Sequence, residues 1–214
     1  LRWPFAFAAV CFATYPVFTQ DMWLSAAWGR MIAAGINPYQ TLFTPAFVAG
    51  LPLDHFPMPM SYGPFWGLVS AAVTTIAAND PVAIGLVSKA LLASAWIGAL
   101  LLVARITAAR PLPERCLVLA AFGWTPLSVT QTVAEGHNDM AMIALALLWF
   151  WLLLRGRGAA PLALAASVLV KYVTAPLLLL DMIFALRGQR IGWRCFLLRI
   201  AAPPLLALGV LALF

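Results

Sequence analysis

The sequence predicts an all-α, polytopic bundle of transmembrane helices with two juxtamembrane helices in a long first outer loop. Three observations predict it. Of the 214 residues 64% are hydrophobic and only 9% charged, where a water-soluble domain is about a quarter charged. Apolar runs follow one another at about 3–18, 64–78, 82–104, 116–131, 140–154, 159–176 and 177–186, with a last one from about 200. The basic and acidic residues alternate between the connections that join those runs. The net charge of +6 therefore does not imply nucleic acid, because the charges are spread over short loops and form no basic helix.

The first run, 3–18, follows Arg2. The chain opens at Leu1 without Met and stops at Phe214 inside an apolar stretch. It is read as one membrane module, 1–214, forming the N-terminal portion of a longer protein. A cleaved signal peptide is the weaker reading of 3–18, since no clear small-x-small cleavage site precedes Asp21.

From about Thr19 to Asp80 the chain reads as an outer loop. Trp23, Leu24, Ala27, Trp28 and Met31 recur at helical spacing, with Ser25, Gly29 and Arg30 on another face, as in an interfacial helix. Gly35 suits its C-terminal cap and Asn37-Pro38 stops it. Pro57 and Pro59 keep the following stretch extended, and Pro64 suits the first position of a second interfacial helix over 64–78. Asn79-Asp80-Pro81 reads as cap, cap and first turn of the next spanning helix.

The positive-inside rule sets the directions of the rest. Arg105, Arg110 and Arg115 form one basic loop, Arg155 and Arg157 a second, and Arg187, Arg190, Arg194 and Arg199 a third. Together with Arg2 these are ten of the 13 basic residues. They share the cytoplasmic side if 3–18 runs outward, 82–104 inward, 116–131 outward, 140–154 inward and 159–176 outward, and if 64–78 does not cross. Asp21, Asp54, Asp80, Glu135 and Asp139 then all lie outside. Cys11, Cys116 and Cys195 are too scattered for a metal site or a disulfide framework.

Charges in such a chain are the places to look for chemistry. A carboxylate at mid-membrane costs about 2.5–3.5 kcal/mol on insertion scales, so it belongs at a surface or in a site. Asp21 is either a carboxylate favoured by the dipole of the helix it begins or a general base at the membrane surface. The knot Glu135-Gly136-His137-Asn138-Asp139 is either a solvated turn, with Asn138 or Asp139 capping the helix from Met140, or a binding site. His137 and Asp139 are good metal ligands, but no second His/Asp pair joins them and His55 is the only other histidine, so no metal and no cofactor is assigned. Lys171, between Val170 and Tyr172, either snorkels to the outer interface or awaits a phosphate. Lys89 invites the same argument more weakly, and Asp181 has no assigned role. The aromatics Trp23, Trp28, Tyr39, Tyr62 and Trp66 suit an interfacial belt or sugar stacking. The chain has no glycine-rich phosphate loop, nucleophile elbow or paired CxxC.

Asp21 after the first run, then Gly35-Ile36-Asn37-Pro38-Tyr39, then Ser61-Tyr62-Gly63-Pro64, resembles the GT-C superfamily of membrane glycosyltransferases. Gly136-His137-Asn138-Asp139 and Lys171-Tyr172 are similar to its polyprenol-phosphate-mannose-dependent and DUF2029 (glycosyltransferase family 87) branch. The resemblance covers about Asp21 to Tyr172. It implies a GT-C-like helix bundle in the cell (inner) membrane with its site facing the extracytoplasmic side. It implies an inverting hexosyltransferase, with mannose as the expected sugar, taking the sugar from a polyprenyl-phosphate donor to a lipid or polysaccharide acceptor. It gives Asp21 the role of catalytic base. Glu135, His137, Asn138 and Asp139 would shape the donor or acceptor pocket, and Lys171 and Tyr172 would join them. The alternatives are a membrane transporter or flippase, with Lys89, Lys171 and Asp181 along a path, and a non-catalytic membrane assembly subunit.

Overall fold

A computed structural model describes residues 2–16, 19–54 and 57–187, with isolated residues at 201, 204–205 and 208–209. All of the regular structure among them is helical, with no strand. His55, Cys195 and the arginines 190, 194 and 199 lie outside the described residues.

The helices are α1 (Arg2–Ala13), α2 (Asp21–Ala33), the short α3 (Pro45–Val48), α4 (Pro64–Ile76), α5 (Pro81–Ile106), α6 (Leu112–Gly123), α7 (Pro126–Val129), α8 (Asp139–Leu154), α9 (Ala160–Val170) and α10 (Leu177–Arg187). Among the described residues α5 is the one helix long and apolar enough to cross a membrane. Its 26 residues span about 39 Å against a hydrocarbon core of about 30 Å. The segment from α6 to Ala134 passes the same test as a pair bent by 50°. The bend is local chemistry: Pro126 has no N–H to continue the ladder, and Thr125 before it is held extended.

Side-chain contacts fix the helix directions. Phe5 meets Trp96 edge-on with ring centroids 5.4 Å apart, while Lys89 reaches the carbonyls of Cys11 and Thr14, so α1 and α5 are antiparallel. Arg105 and Arg155 both lie over the Trp151 ring, at 5.9 and 5.6 Å, so α5 and α8 end together. The hydroxyl of Ser167 bonds the Met142 carbonyl, while Ala160 and Leu164 pack with Trp149 and Leu153, which turns α9 back along α8. The relative directions expected of 3–18, 82–104, 140–154 and 159–176 are thus present in α1, α5, α8 and α9. One end of the bundle gathers Arg105 and Arg155. The other carries Asp21 and Asp139.

The loop helices fall at the expected positions in the chain, with two differences. α2 closes in a Schellman turn, with Gly35 at φ 74° and the Ile36 N–H bonded to the Met31 carbonyl at 2.9 Å. Asp80 caps α5 through the Ala83 N–H at 2.8 Å, whereas Asn79 serves as a left-handed corner, φ 61°, and not as a second cap. The expected polar face of α2 is buried against α4: Trp66 Nε1 donates to Ser25 Oγ at 3.0 Å. A Cβ on Gly29 would lie 2.5 Å from the Ser70 carbonyl oxygen. α2 is therefore packed nearly all round, and Arg30 alone leaves that face, to bond the carbonyls of Phe47, Ala49 and Asn79.

Candidate active site

The knot at 135–139 is built by a widened helix. After α7 the chain makes a π-helical turn over Thr130–Ala134, which the Glu135 N–H closes on the Thr130 carbonyl at 2.9 Å. The His137 N–H then bonds the Gln131 carbonyl, also at 2.9 Å. Gly136 is required twice over. Its φ is 77°, and a Cβ there would sit 2.9 Å from Met22 Sδ and 3.1 Å from Met22 Cβ. Glycine thus lets the knot close onto the first turn of α2. Glu135, buried, accepts the Thr19 N–H at 3.2 Å and fastens the two loops together.

Asp21 stands at the start of α2, but Gln20 occupies the cap position and no side chain caps the helix. The Asp21 carboxylate is instead turned across to the other loops. Its Oδ2 accepts the Tyr62 hydroxyl at 2.7 Å and lies 2.9 Å from His137 Nδ1. Both partners fall on the same oxygen, and no described residue bonds Oδ1. The bond from His137, helped by the Tyr62 bond and by the charges of His137 and Lys171, holds Asp21 below the usual carboxylate range despite partial burial. The same bond raises His137 above the ordinary imidazole value, with burial and Lys171 opposing and the Asp21 and Asp139 charges assisting. Burial first, and then the Asp21 bond, push the Tyr62 phenol upward, so it stays a donor.

The Asp139 side chain is likewise turned away from its own helix. It opens α8 behind Asn138, whose side chain makes no cap bond, and its Oδ1 lies 2.7 Å from Lys171 Nζ. The expected run 159–176 is not one helix. α9 stops at Val170, whose carbonyl accepts the Gly63 N–H at 3.0 Å, and Lys171 takes up extended backbone at φ −153°. A 3₁₀ turn, Tyr172–Thr174, follows. That break lets the ammonium reach out at the end of α9, 5.6 Å above the Tyr62 ring.

The predicted residues thus divide. Asp21, His137, Asp139 and Lys171 form one cluster. Glu135 anchors its base. Asn138 is buried beside it, and neither amide atom has a partner among the described residues. Tyr172 is half exposed near Tyr39 and makes no hydrogen bond into the cluster among the described residues. Lys89 stands apart, buried, satisfying the carbonyls of Cys11 and Thr14 where α1 ends. Asp181 is buried elsewhere and accepts Trp149 Nε1–H at 2.7 Å. Tyr62 is the member that residue-by-residue reasoning missed, being read as one aromatic among several. Its place in the Ser61-Tyr62-Gly63-Pro64 segment was the available signal. Among the described residues no three His, Cys, Asp or Glu side chains group closely enough to hold a metal ion.

Residues 2–188 match a family model described as alpha-(1->6)-mannopyranosyltransferase, N-terminal domain. No curated protein and no solved structure gave a match.

Proposed function

The chain belongs to the alpha-(1->6)-mannopyranosyltransferase N-terminal domain family, a family of mannosyltransferases, and from that premise we propose an inverting transfer of mannose from a polyprenyl-phosphate donor. The acceptor is a lipid or glycan hydroxyl at the extracytoplasmic face of the cell membrane. The observation that carries this reading is the Asp21 carboxylate, with Oδ2 fixed by two donors and no bond to Oδ1 among the described residues, in one cluster with Lys171.

In this reaction the acceptor oxygen forms its bond to the anomeric carbon while its proton passes to Asp21 Oδ1. The bond from that carbon to the phosphate oxygen breaks, and the electron pair leaves on the polyprenyl phosphate. Lys171, a third exposed, is the cation available to that leaving charge. Asp21 is ionised at neutral pH because its pKa is held low. General base catalysis of this kind supplies about 10²–10⁴ in rate.

The membrane reading completes the proposal. Val82, Leu86, Ile97 and Leu101 leave the surface of α5 exposed and apolar, which suits lipid. With the arginine end of the bundle in the cytoplasm, the Asp21 cluster meets the opposite leaflet. The test is transfer from polyprenyl-phosphate mannose by the full-length protein. Asp21→Asn lowers turnover by about 10²-fold or more while the protein still folds and melts cooperatively, and the wild-type product carries the anomeric configuration opposite to the donor. Wild-type turnover in that variant removes Asp21 from the mechanism.

A further inference from the structure

We propose that Tyr62 is a positioning residue for this transfer: its hydroxyl fixes Oδ2 of Asp21 and so leaves Oδ1 to receive the acceptor's proton. The inference rests on the reading of Asp21 as the base.

A carboxylate held by one donor can swing about its Cβ–Cγ bond and exchange its two oxygens. Two donors converging on one oxygen from different loops prevent that. His137 comes from the turn before α8 and Tyr62 from the segment before α4, and both meet Oδ2, at 2.9 and 2.7 Å. The phenol can do this because it is itself held on every side. The Tyr62 carbonyl accepts the Tyr39 hydroxyl at 2.9 Å, and Tyr39 is fixed in turn by its N–H on Asn37 Oδ1. The next residue, Gly63, bonds the Val170 carbonyl and packs so closely that a Cβ would lie 2.1 Å from the Leu169 oxygen. Pro64 then starts α4. The ring meets Trp28 edge-on at 5.8 Å, and Trp28 is pinned through Nε1 to the Met58 carbonyl. On the ring face stands Lys171. Tyr62 therefore bonds the carboxylate through its hydroxyl while its ring face lies beneath the cation.

Two consequences distinguish positioning from mere packing. The hydroxyl stabilises the ionised form of Asp21, so removing it makes the carboxylate a stronger base and moves the acid limb of the rate profile to higher pH. Turnover nevertheless falls, because the stronger base is no longer held in line.

The experiment is Tyr62→Phe in the full-length protein, with polyprenyl-phosphate mannose as donor and Asp21→Asn assayed beside it. Phenylalanine keeps the ring for Trp28 and Lys171, so the protein still folds and melts cooperatively, its melting temperature lowered by no more than the loss of one hydrogen bond. kcat falls by about 10–100-fold, the scale expected when a catalytic group loses its alignment with the reacting atoms. The donor KM changes by less than about twofold, as expected for an interaction that serves the transition state, and the acid limb moves to higher pH. Wild-type kcat and an unmoved acid limb in Tyr62→Phe, with Asp21→Asn inactive, overturn the role of Tyr62 alone. So does a loss carried by KM with the limb unmoved. Wild-type turnover in Asp21→Asn overturns the base itself, whatever Tyr62→Phe does.

Discussion

Replacing His137 with Asn keeps an amide donor near Asp21 and removes the imidazole that pairs with that carboxylate's Oδ2. The two side chains are 21% and 31% exposed, so their attraction is partly screened. A charge-assisted hydrogen bond contributes about 1.5–3 kcal/mol and an exposed ion pair about 0–1. Partial burial places this pair at about 1–2 kcal/mol. The pH window follows from the two shifts. His137 is raised, so its contribution is fully present below the unfolded value of about 6.5 and disappears as pH rises through the higher folded value. Asp21 is lowered, so its contribution is present above about 3.9 and disappears as pH falls through the lower folded value. The wild type is therefore more stable than His137→Asn from about pH 4 to somewhat above 6.5, and the gap closes toward alkaline pH. At roughly 2–4 °C per kcal/mol for a chain of this size, the gap is about 2–8 °C near pH 5.5. Thermal melts of both proteins in one detergent, from about pH 4 to 9, measure it directly. Titrations elsewhere cancel in the difference. A gap that is flat with pH, or that widens above pH 8, refutes the pairing as the source of both shifts.

Gly63→Ala sets a Cβ 2.1 Å from a backbone oxygen that cannot move without shifting α9. A loss of about 3 kcal/mol, near 6–12 °C in melting temperature, is expected, together with lost transfer as Tyr62 is pushed off Asp21. A melt within 2 °C of wild type would show that the contact relaxes freely. Lys171→Met leaves stability almost unchanged, because the Lys171–Asp139 pair is 32% and 45% exposed. It lowers kcat by about 10²-fold, and full turnover would exclude a role for the cation at the departing phosphate.

Much of the scaffold was legible because its signals are local. Pro64, Pro81, Asp80 and Gly35 each act within one helical turn, and α2, α4 and α5 begin or end where those residues dictate. The match to a mannosyltransferase family agrees with the motif resemblance at that level and does not name the DUF2029 branch. What could not be read depends on distant parts of the chain. Nothing near Lys171 announces that α9 will stop at Val170, because the group that claims the Val170 carbonyl is the Gly63 N–H. Nothing in α2 shows that Ser25 and Gly29 will be covered, because their cover is Trp66 and Ser70. The choice between cap and site at Asp21 and Asp139 is of the same kind. A helix N-terminus favours a carboxylate whichever way it points. Tyr62 and Lys171 decide that both point outward, away from their own helices.

That arrangement bears on the order of events in the proposed transfer. A carboxylate held below its usual range is a weak base, poorly matched to a sugar hydroxyl. It can serve if the bond to the phosphate is largely broken before the proton moves, since the growing positive charge on the sugar then acidifies the incoming hydroxyl. Under that order, stabilising the leaving phosphate governs the rate more than base strength does. Lys171 is accordingly the residue whose loss slows chemistry at every pH, while Tyr62→Phe slows it despite strengthening the base. A concerted transfer limited by base strength predicts the reverse for Tyr62→Phe: a variant faster than wild type above its shifted acid limb.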